Sequence, residues 1–233
     1  MRSIAKLMKD WQFTGPDGVT AAVALPHTWN AVDGQDGGND YWRGTCTYRT
    51  SFAAPVFDPA QQQVWLQFEG VNSSAAVLLN GQQLCTHDGG YSTFRAEVTE
   101  LLQAENQLTV QVDNSVNDRV YPQKADFTFY GGIYRDVSLL VVNKNHIALG
   151  HFGDTGVKIT PDLKEGSADI QVETLVEGEG TVVVELLDAE GSTVAKGEGA
   201  KASLHLDAPH LWNGVKDPYL YTCVVRLLQD GKP

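Results

Sequence analysis

Apolar and polar residues alternate through most of this chain, the two-residue period of strands that bury one face. Val64, Leu66 and Phe68 fall on one side of such a strand, Gln67 and Glu69 on the other. Ala75-Ala76-Val77-Leu78-Leu79 runs into Asn80-Gly81 and returns as Gln82-Gln83-Leu84-Cys85. Asn-Gly there signals a hairpin, because both turn residues must accept positive φ. Leu108–Asp113 and Tyr134–Val142 predict two more strands of the same half-buried kind. Only Thr99-Glu100-Leu101-Leu102-Gln103 reads as a helical turn, with Thr99 as its cap.

A polar, glycine-bearing stretch from Asn143 to Gly156 separates this block from a second, and the boundary is placed at about residue 146. Beyond it, strands are expected over Gly156–Ile159, Ala168–Leu175, Thr181–Leu187 and Tyr219–Leu228, joined by turns such as Asp188-Ala189-Glu190-Gly191. Short strands at this spacing predict a β-sandwich of immunoglobulin type. The fold class is therefore all-β, with one domain over 1–145 and an immunoglobulin-like domain over 146–233. Asp230-Gly231 is a hairpin turn with no return strand after it, so the second domain is expected to be truncated at its C-terminus.

Composition narrows the partners more than the fold. The 233 residues, 42% hydrophobic and 20% charged, suit a globular protein with two β domains. A net charge of −12 repels a polyphosphate backbone, so no nucleic acid is expected. No apolar run approaches the ~20 residues of a membrane helix. Charges interrupt Met1–Asp10, which lacks the apolar stretch of a secretory signal; the expectation is a cytoplasmic protein with no membrane partner. Cys46, Cys85 and Cys223 show no C-x-x-C spacing, so neither a metal site nor a disulfide framework is expected, and no cofactor is assigned. Cys46 and Cys223 sit in alternating runs and read as small buried thiols.

Three stretches, in order and spacing, resemble the N-terminal domain of glycoside hydrolase family 2 of the β-galactosidase type. The first is Leu25-Pro26-His27-Thr28-Trp29-Asn30 with Asp40-Tyr41-Trp42-Arg43-Gly44. The second is Phe68-Glu69-Gly70-Val71-Asn72-Ser73, then Leu79-Asn80-Gly81 and His87-Asp88-Gly89-Gly90-Tyr91. The third is Val112-Asp113-Asn114-Ser115 leading to Asp126-Phe127-Thr128-Phe129-Tyr130-Gly131-Gly132-Ile133-Tyr134-Arg135-Asp136. Leu211-Trp212-Asn213 through Tyr219-Leu220-Tyr221 resembles the family's immunoglobulin-like domain.

The resemblance implies a jelly-roll, galactose-binding-like sandwich, then the immunoglobulin-like domain, then a (β/α)8 barrel carrying two catalytic glutamates. The barrel is absent from these residues, so no catalytic residue is assigned and the chain alone is expected to be inactive. Retaining hydrolysis needs two carboxyl groups ~5–5.5 Å apart, and Asp113/Asp118 or Glu177/Glu179 read as solvated surface pairs. By resemblance, Asp126 reaches from the first domain toward substrate, against the plainer reading of a turn-holding aspartate. Asn39, Asp40 and Arg43 follow a Gly-rich loop, Asp33–Gly38, and are the other candidate substrate contacts. Trp42 is either a core aromatic or a sugar-stacking platform, while Phe127, Phe129, Tyr130, His27 and Trp29 read as packing. Arg135 and Asp136, adjacent on a strand, point to opposite faces and each pins a neighbouring loop.

The implied parent acts on a β-galactoside, docks its own barrel onto these domains and forms a homo-oligomer. A β-glucuronidase-type member and a free-standing carbohydrate-binding module are the competing readings.

Overall fold

The computed structural model describes residues 2–33, 41–122, 128–150 and 152–232. They divide into two compact units, Arg2–Asn143 and the residues from Lys144 onward. No helix among the described residues is long and apolar enough to cross a membrane.

The first unit runs β1 (Ser3–Lys6), β2 (Trp11–Thr14), β3 (Thr20–Val23), β4 (Thr45–Ala53), β5 (Gln62–Phe68) and β6 (Val71–Asn72). It continues with β7 (Ser74–Leu79), β8 (Gln82–Asp88), β9 (Phe94–Glu97), β10 (Glu105–Asp113), β11 (Gly132–Ile133) and β12 (Val137–Asn143). A six-stranded sheet, β3-β2-β4-β10-β7-β8, and a four-stranded sheet, β1-β12-β5-β9, supply the two walls of one core. Tyr48, Val77, Leu108, Val110 and Val112 from the first wall cluster with Val64, Leu66, Phe68, Leu139 and Val141 from the second. The sandwich follows from the alternation: on β10, every even-numbered residue from Asn106 to Val112 is buried.

The hairpin forms where Asn80-Gly81 predicts it, with φ of 52° at Asn80 and 82° at Gly81. Asn80 also ties the turn down, donating to the carbonyl of Leu101 at 3.0 Å while accepting from the amide of Gln107 at 2.9 Å.

Two local expectations are corrected. Thr99 does not cap a helical turn: the short 3₁₀ segment Thr99–Leu101 begins after Val98 and has no side-chain cap. The Thr99 hydroxyl instead accepts from the amide of Val64 at 3.0 Å and donates to Glu97 at 2.9 Å, joining the segment to β5. On β12, six successive residues from Val137 to Val142 are buried rather than every second one. The strand is central between β1 and β5, and on its outer face Leu140 stands opposite the buried Trp65.

The second unit contains β13 (His146–Ile147), β14 (Val157–Lys164), β15 (Ser167–Thr174), β16 (Val176–Glu177), β17 (Thr181–Leu187), β18 (Thr193–Glu198), β19 (Lys201–Asp207) and β20 (Thr222–Leu228). Two three-stranded sheets, β14-β15-β19 and β18-β17-β20, enclose Ile170, Val172, Leu204, Val182, Val184 and Leu186. This is the expected immunoglobulin-like sandwich. Asp230-Gly231 does reverse the chain, with Gln229 and Lys232 exchanging hydrogen bonds of 2.8 and 2.9 Å.

All three thiols are free. Cys46 is buried, and burial pushes its thiol up to about 12; Cys85 and Cys223 are half-buried and raised for the same reason.

Candidate functional site

Asp126, Asn39 and Asp40 lie outside the described residues, as does Phe127. Arg43 lies within them, and the residues that flank segments 34–40 and 123–127 are held together at one end of the first sandwich.

The frame of that end is a buried amide network. Asn30 is fully buried, which is tolerable only because both halves of its carboxamide are used. Its Nδ2 donates to Asp33 at 2.8 Å and to the carbonyl of Trp42 at 2.9 Å. Its Oδ1 accepts from the amide of Gly131 at 2.7 Å and from Asn114 Nδ2 at 3.1 Å. Asn114 in turn accepts from the amide of Gly44 at 2.9 Å. Four segments far apart in sequence are thereby fixed against one another. Asn72, at the end of β6, adds a bond to the carbonyl of Tyr130 at 2.8 Å, and Thr28 one to the carbonyl of Gly131 at 2.7 Å.

Gly131 is required by this closeness. A Cβ there would lie 2.1 Å from the ring of Trp29 and 2.7 Å from Asn114 Nδ2, distances no side chain occupies. Gly90 faces the same constraint, 2.3 Å from Asn72 Oδ1.

Around the frame sits an aromatic rim. The Arg43 guanidinium lies 4.6 Å from the ring centre of Tyr41 and 5.5 Å from that of Phe129, and it also donates to the Tyr41 hydroxyl. Arg43, Asn72, Tyr91, Asn114, Tyr121 and Phe129 border one narrow cleft. An adjoining cavity of about 180 Å³ is lined by Thr28, Asn72, Tyr91, Thr128, Tyr130 and Tyr134. Among the described residues no carboxylate lines either. Tyr134 donates to the carbonyl of Gly90, and Arg135 to that of Tyr91 at 3.1 Å, so the Gly90-Tyr91 turn is clamped from two sides. Asp136 pairs with Lys6 at 2.5 Å; contrary to expectation, Arg135 and Asp136 lie on no strand but in the bend between β11 and β12, where each still pins a neighbouring segment.

The aromatic residues sort differently from expectation. Phe129 is buried, as a packing residue should be, but Tyr130 is 41% exposed. Trp42 is both things at once: it meets Trp29 edge-to-face at 6.1 Å, yet 37% of it remains open. His27 and Trp29 are packing residues. His27 hydrogen-bonds the Tyr48 hydroxyl at 2.7 Å, lies 4.7 Å from the ring of Phe13, and burial lowers its pKa, so it stays a neutral ring. Tyr91, Tyr121, Asn72 and Asn114 were not singled out from sequence as site residues. Asn72, Tyr91 and Asn114 do fall inside the stretches that carry the resemblance, but nothing in their residue types marks them as site residues.

One member of each carboxylate pair considered from sequence is engaged within the fold. Asp113 accepts from Thr45 and from the amide of Ser115 at 2.6 Å, and Glu177 stands opposite His146 in a strand pair.

Family-level comparison agrees with this architecture. Residues 37–161 match the glycosyl hydrolase 2 galactose-binding domain-like model and residues 151–233 match the glycosyl hydrolases family 2 model. A β-glucuronidase from Bacteroides fragilis is 32% identical over 97% of this chain, which spans 35% of that relative. A β-galactosidase from Thermoanaerobacter pseudethanolicus is 28% identical over 90% of this chain, which spans 30% of that relative. The solved structure of an FMN-binding β-glucuronidase from Facaelibacterium prausnitzii L2-6 matches with a TM-score of 0.91 and 36% identity, covering 100% of this chain and 38% of that one. The chain thus spans about a third of the length of these relatives. Two β units in this order, with these matches along nearly the whole length, make the chain a member of glycosyl hydrolase family 2.

Proposed function

We propose that the chain is the N-terminal, non-catalytic part of a retaining β-galactosidase-like glycosidase, and that the end of the first sandwich forms one wall of its substrate site. The supporting observation is the Asn30–Asn114–Gly131 frame, which fixes a narrow cleft and an adjoining cavity lined, among the described residues, by hydrogen-bonding groups and aromatic faces. Such a wall can orient a sugar through Asn, Tyr and Arg groups, whereas retaining hydrolysis needs a pair of carboxyl groups ~5–5.5 Å apart. Asp126 is proposed to reach substrate from this wall, where its carboxylate would accept two short hydrogen bonds from neighbouring sugar hydroxyls. Asn39 and Asp40 are proposed as its companions. The paired glutamates would come from a barrel that follows in the parent.

A second reading, a β-glucuronidase, is favoured by the names of the Bacteroides and Facaelibacterium relatives and by Arg43, whose planar guanidinium suits a uronate carboxylate.

Assaying the purified chain with nitrophenyl β-galactoside and nitrophenyl β-glucuronide tests the non-catalytic assignment. The expected result is no nitrophenol from either. Turnover that survives repurification and disappears on replacing a carboxylate of this chain would overturn it. Micromolar binding of free galactose by the same sample would point instead to a free-standing carbohydrate-binding module, since the wall alone should bind in the millimolar range.

A further inference from the structure

The outer face of the six-stranded sheet carries a cleft of about 390 Å³ that the reading above leaves unused. Its walls follow from strand register. Thr45 stands opposite Asp113, Asp113 opposite Ser74, and Ser74 opposite Asp88, a single polar row across β4, β10, β7 and β8. The next residue along three of these strands, Cys46, Val112 or Ala75, is buried in the core, so the row faces away from it. A second row, Gln111, Ala76 and Thr86, runs alongside, and the small Ala76 leaves the floor low.

The groups of the first row are ordered but not exhausted. Thr45 donates to Asp113, Ser74 to Asp88 at 2.5 Å, the amide of Ser115 to Asp113 at 2.6 Å, and Arg119 to Asp88 at 3.0 Å. Each of the four carboxylate oxygens accepts one of these bonds, and a carboxylate offers about four acceptor positions, so each aspartate keeps about two. In the second row, the side chains of Gln111 and Thr86 make no hydrogen bond among the described residues. The cleft therefore holds fixed acceptors beside uncommitted donors.

This chemistry selects against other ligands. Two carboxylates repel an anion, and the Arg119 guanidinium that lines the cleft is spent on Asp88. Among the described residues no group of three or more His, Cys, Asp or Glu could hold a metal ion. An apolar ligand would strand the polar rows. A sugar ring, whose neighbouring hydroxyls donate to carboxylates and accept from amides, satisfies both. The volume also falls in the range of small-ligand sites.

We propose that this sheet face is a binding site for a neutral saccharide, additional to the cleft around Arg43 and independent of which glycoside the parent cleaves. The test is amide NMR of the intact chain titrated with methyl β-galactoside, cellotriose and xylotriose. At least one should give saturable shifts at Ala76, Thr86 and Gln111. Gln111→Ala and Thr86→Val, both at exposed side chains, should leave melting unchanged while each weakens binding about five- to tenfold, the loss of about one hydrogen bond. Asp88→Asn should weaken it as well. Three outcomes would overturn the site: no saturable shift with any probe, shifts confined to residues around Arg43 and indifferent to Gln111→Ala, or equal binding of sulfate at the same residues.

Discussion

Asn30 and Asn114, 84 residues apart, join their carboxamides at 3.1 Å in a fully buried position. Each makes further bonds to backbone groups of other segments, so the pair stands at the centre of the end that carries the proposed sugar wall. Replacing Asn114 by Ala would strand the amide of Gly44 and remove one donor to Asn30. A buried group left unpartnered costs about 1–3 kcal/mol, so unfolding free energy should fall by about 2–4 kcal/mol. Asn114→Asp keeps the shape but sets an acceptor against the Oδ1 of Asn30, and it should not rescue. Urea unfolding checks both; an alanine variant within about 0.5 kcal/mol of wild type would mean that water repairs the network.

Gly131→Ala tests the same end by volume rather than polarity. The added methyl cannot fit without moving Trp29 or Asn114. Overpacking of this kind costs about 1–3 kcal/mol. The signature to look for is a fall in Tm accompanied by a change in tryptophan fluorescence, because Trp29 must shift. A variant that melts like wild type with unchanged fluorescence would show that the segment carrying Gly131 can slide.

How much of this was legible in the sequence depends on range. Val64, Leu66, Phe68 and the β10 residues announce their buried face because the period is local, and Asn80-Gly81 announces its turn because φ is local too. Strands β18 and β19 are absent from the sequence reading: Thr193–Glu198 buries no residue fully, so its period is faint, whereas Lys201–Asp207 does alternate, with Ala202 and Leu204 buried, but its run is short and has only small or single apolar positions. Thr99 was misread because its hydroxyl is claimed by Val64, 35 residues away, before it can cap anything. The double-sided burial of β12 depends on its place between two other strands, which no run of nine residues records. The site splits the same way. The resemblance supplied Asp126 and the Gly-rich loop pointed to Asn39, Asp40 and Arg43, whereas the Asn30 network is a long-range contact between ordinary asparagines.

Asp113 predicts a pH dependence for the first unit. Burial alone would raise its pKa, but hydrogen bonds from Thr45 and Ser115 and the charge of Arg119 outweigh that and hold it below the usual carboxylate value. A carboxyl group depressed in the folded state contributes stability that is fully present above its unfolded pKa and is lost as pH falls through the folded one. Asp113→Asn should therefore cost most near neutrality, about 1 kcal/mol after discounting for partial solvent exposure. The difference from wild type should narrow as pH drops below the ordinary carboxylate range. A gap that stayed constant or widened toward acid would show that the hydrogen bonds are indifferent to the charge.

The role proposed for Asp126 makes the sharpest prediction about activity, and it concerns the full-length parent. A sugar hydroxyl donating to a carboxylate is worth about 1.5–3 kcal/mol, so Asp126→Ala should lower kcat/KM by about ten- to a few hundred-fold. Stability should hold, because the described bonds that fix this end are made by Asn30, Asn72, Asn114 and Thr28. Asp126→Asn keeps the acceptor oxygen but loses the charge, and it should fall between wild type and alanine. Running the series against nitrophenyl β-galactoside and β-glucuronide adds discrimination. A carboxylate opposes a uronate, so a parent specific for glucuronides would lose less, or gain, on Asp126→Asn, whereas a galactosidase would lose. Wild-type kcat/KM in Asp126→Ala would refute the substrate role and leave Asp126 as a turn-holding residue. A large fall in Tm with activity lost in proportion would make it structural, and the sugar contacts would then be sought at Asn39, Asp40 and Arg43.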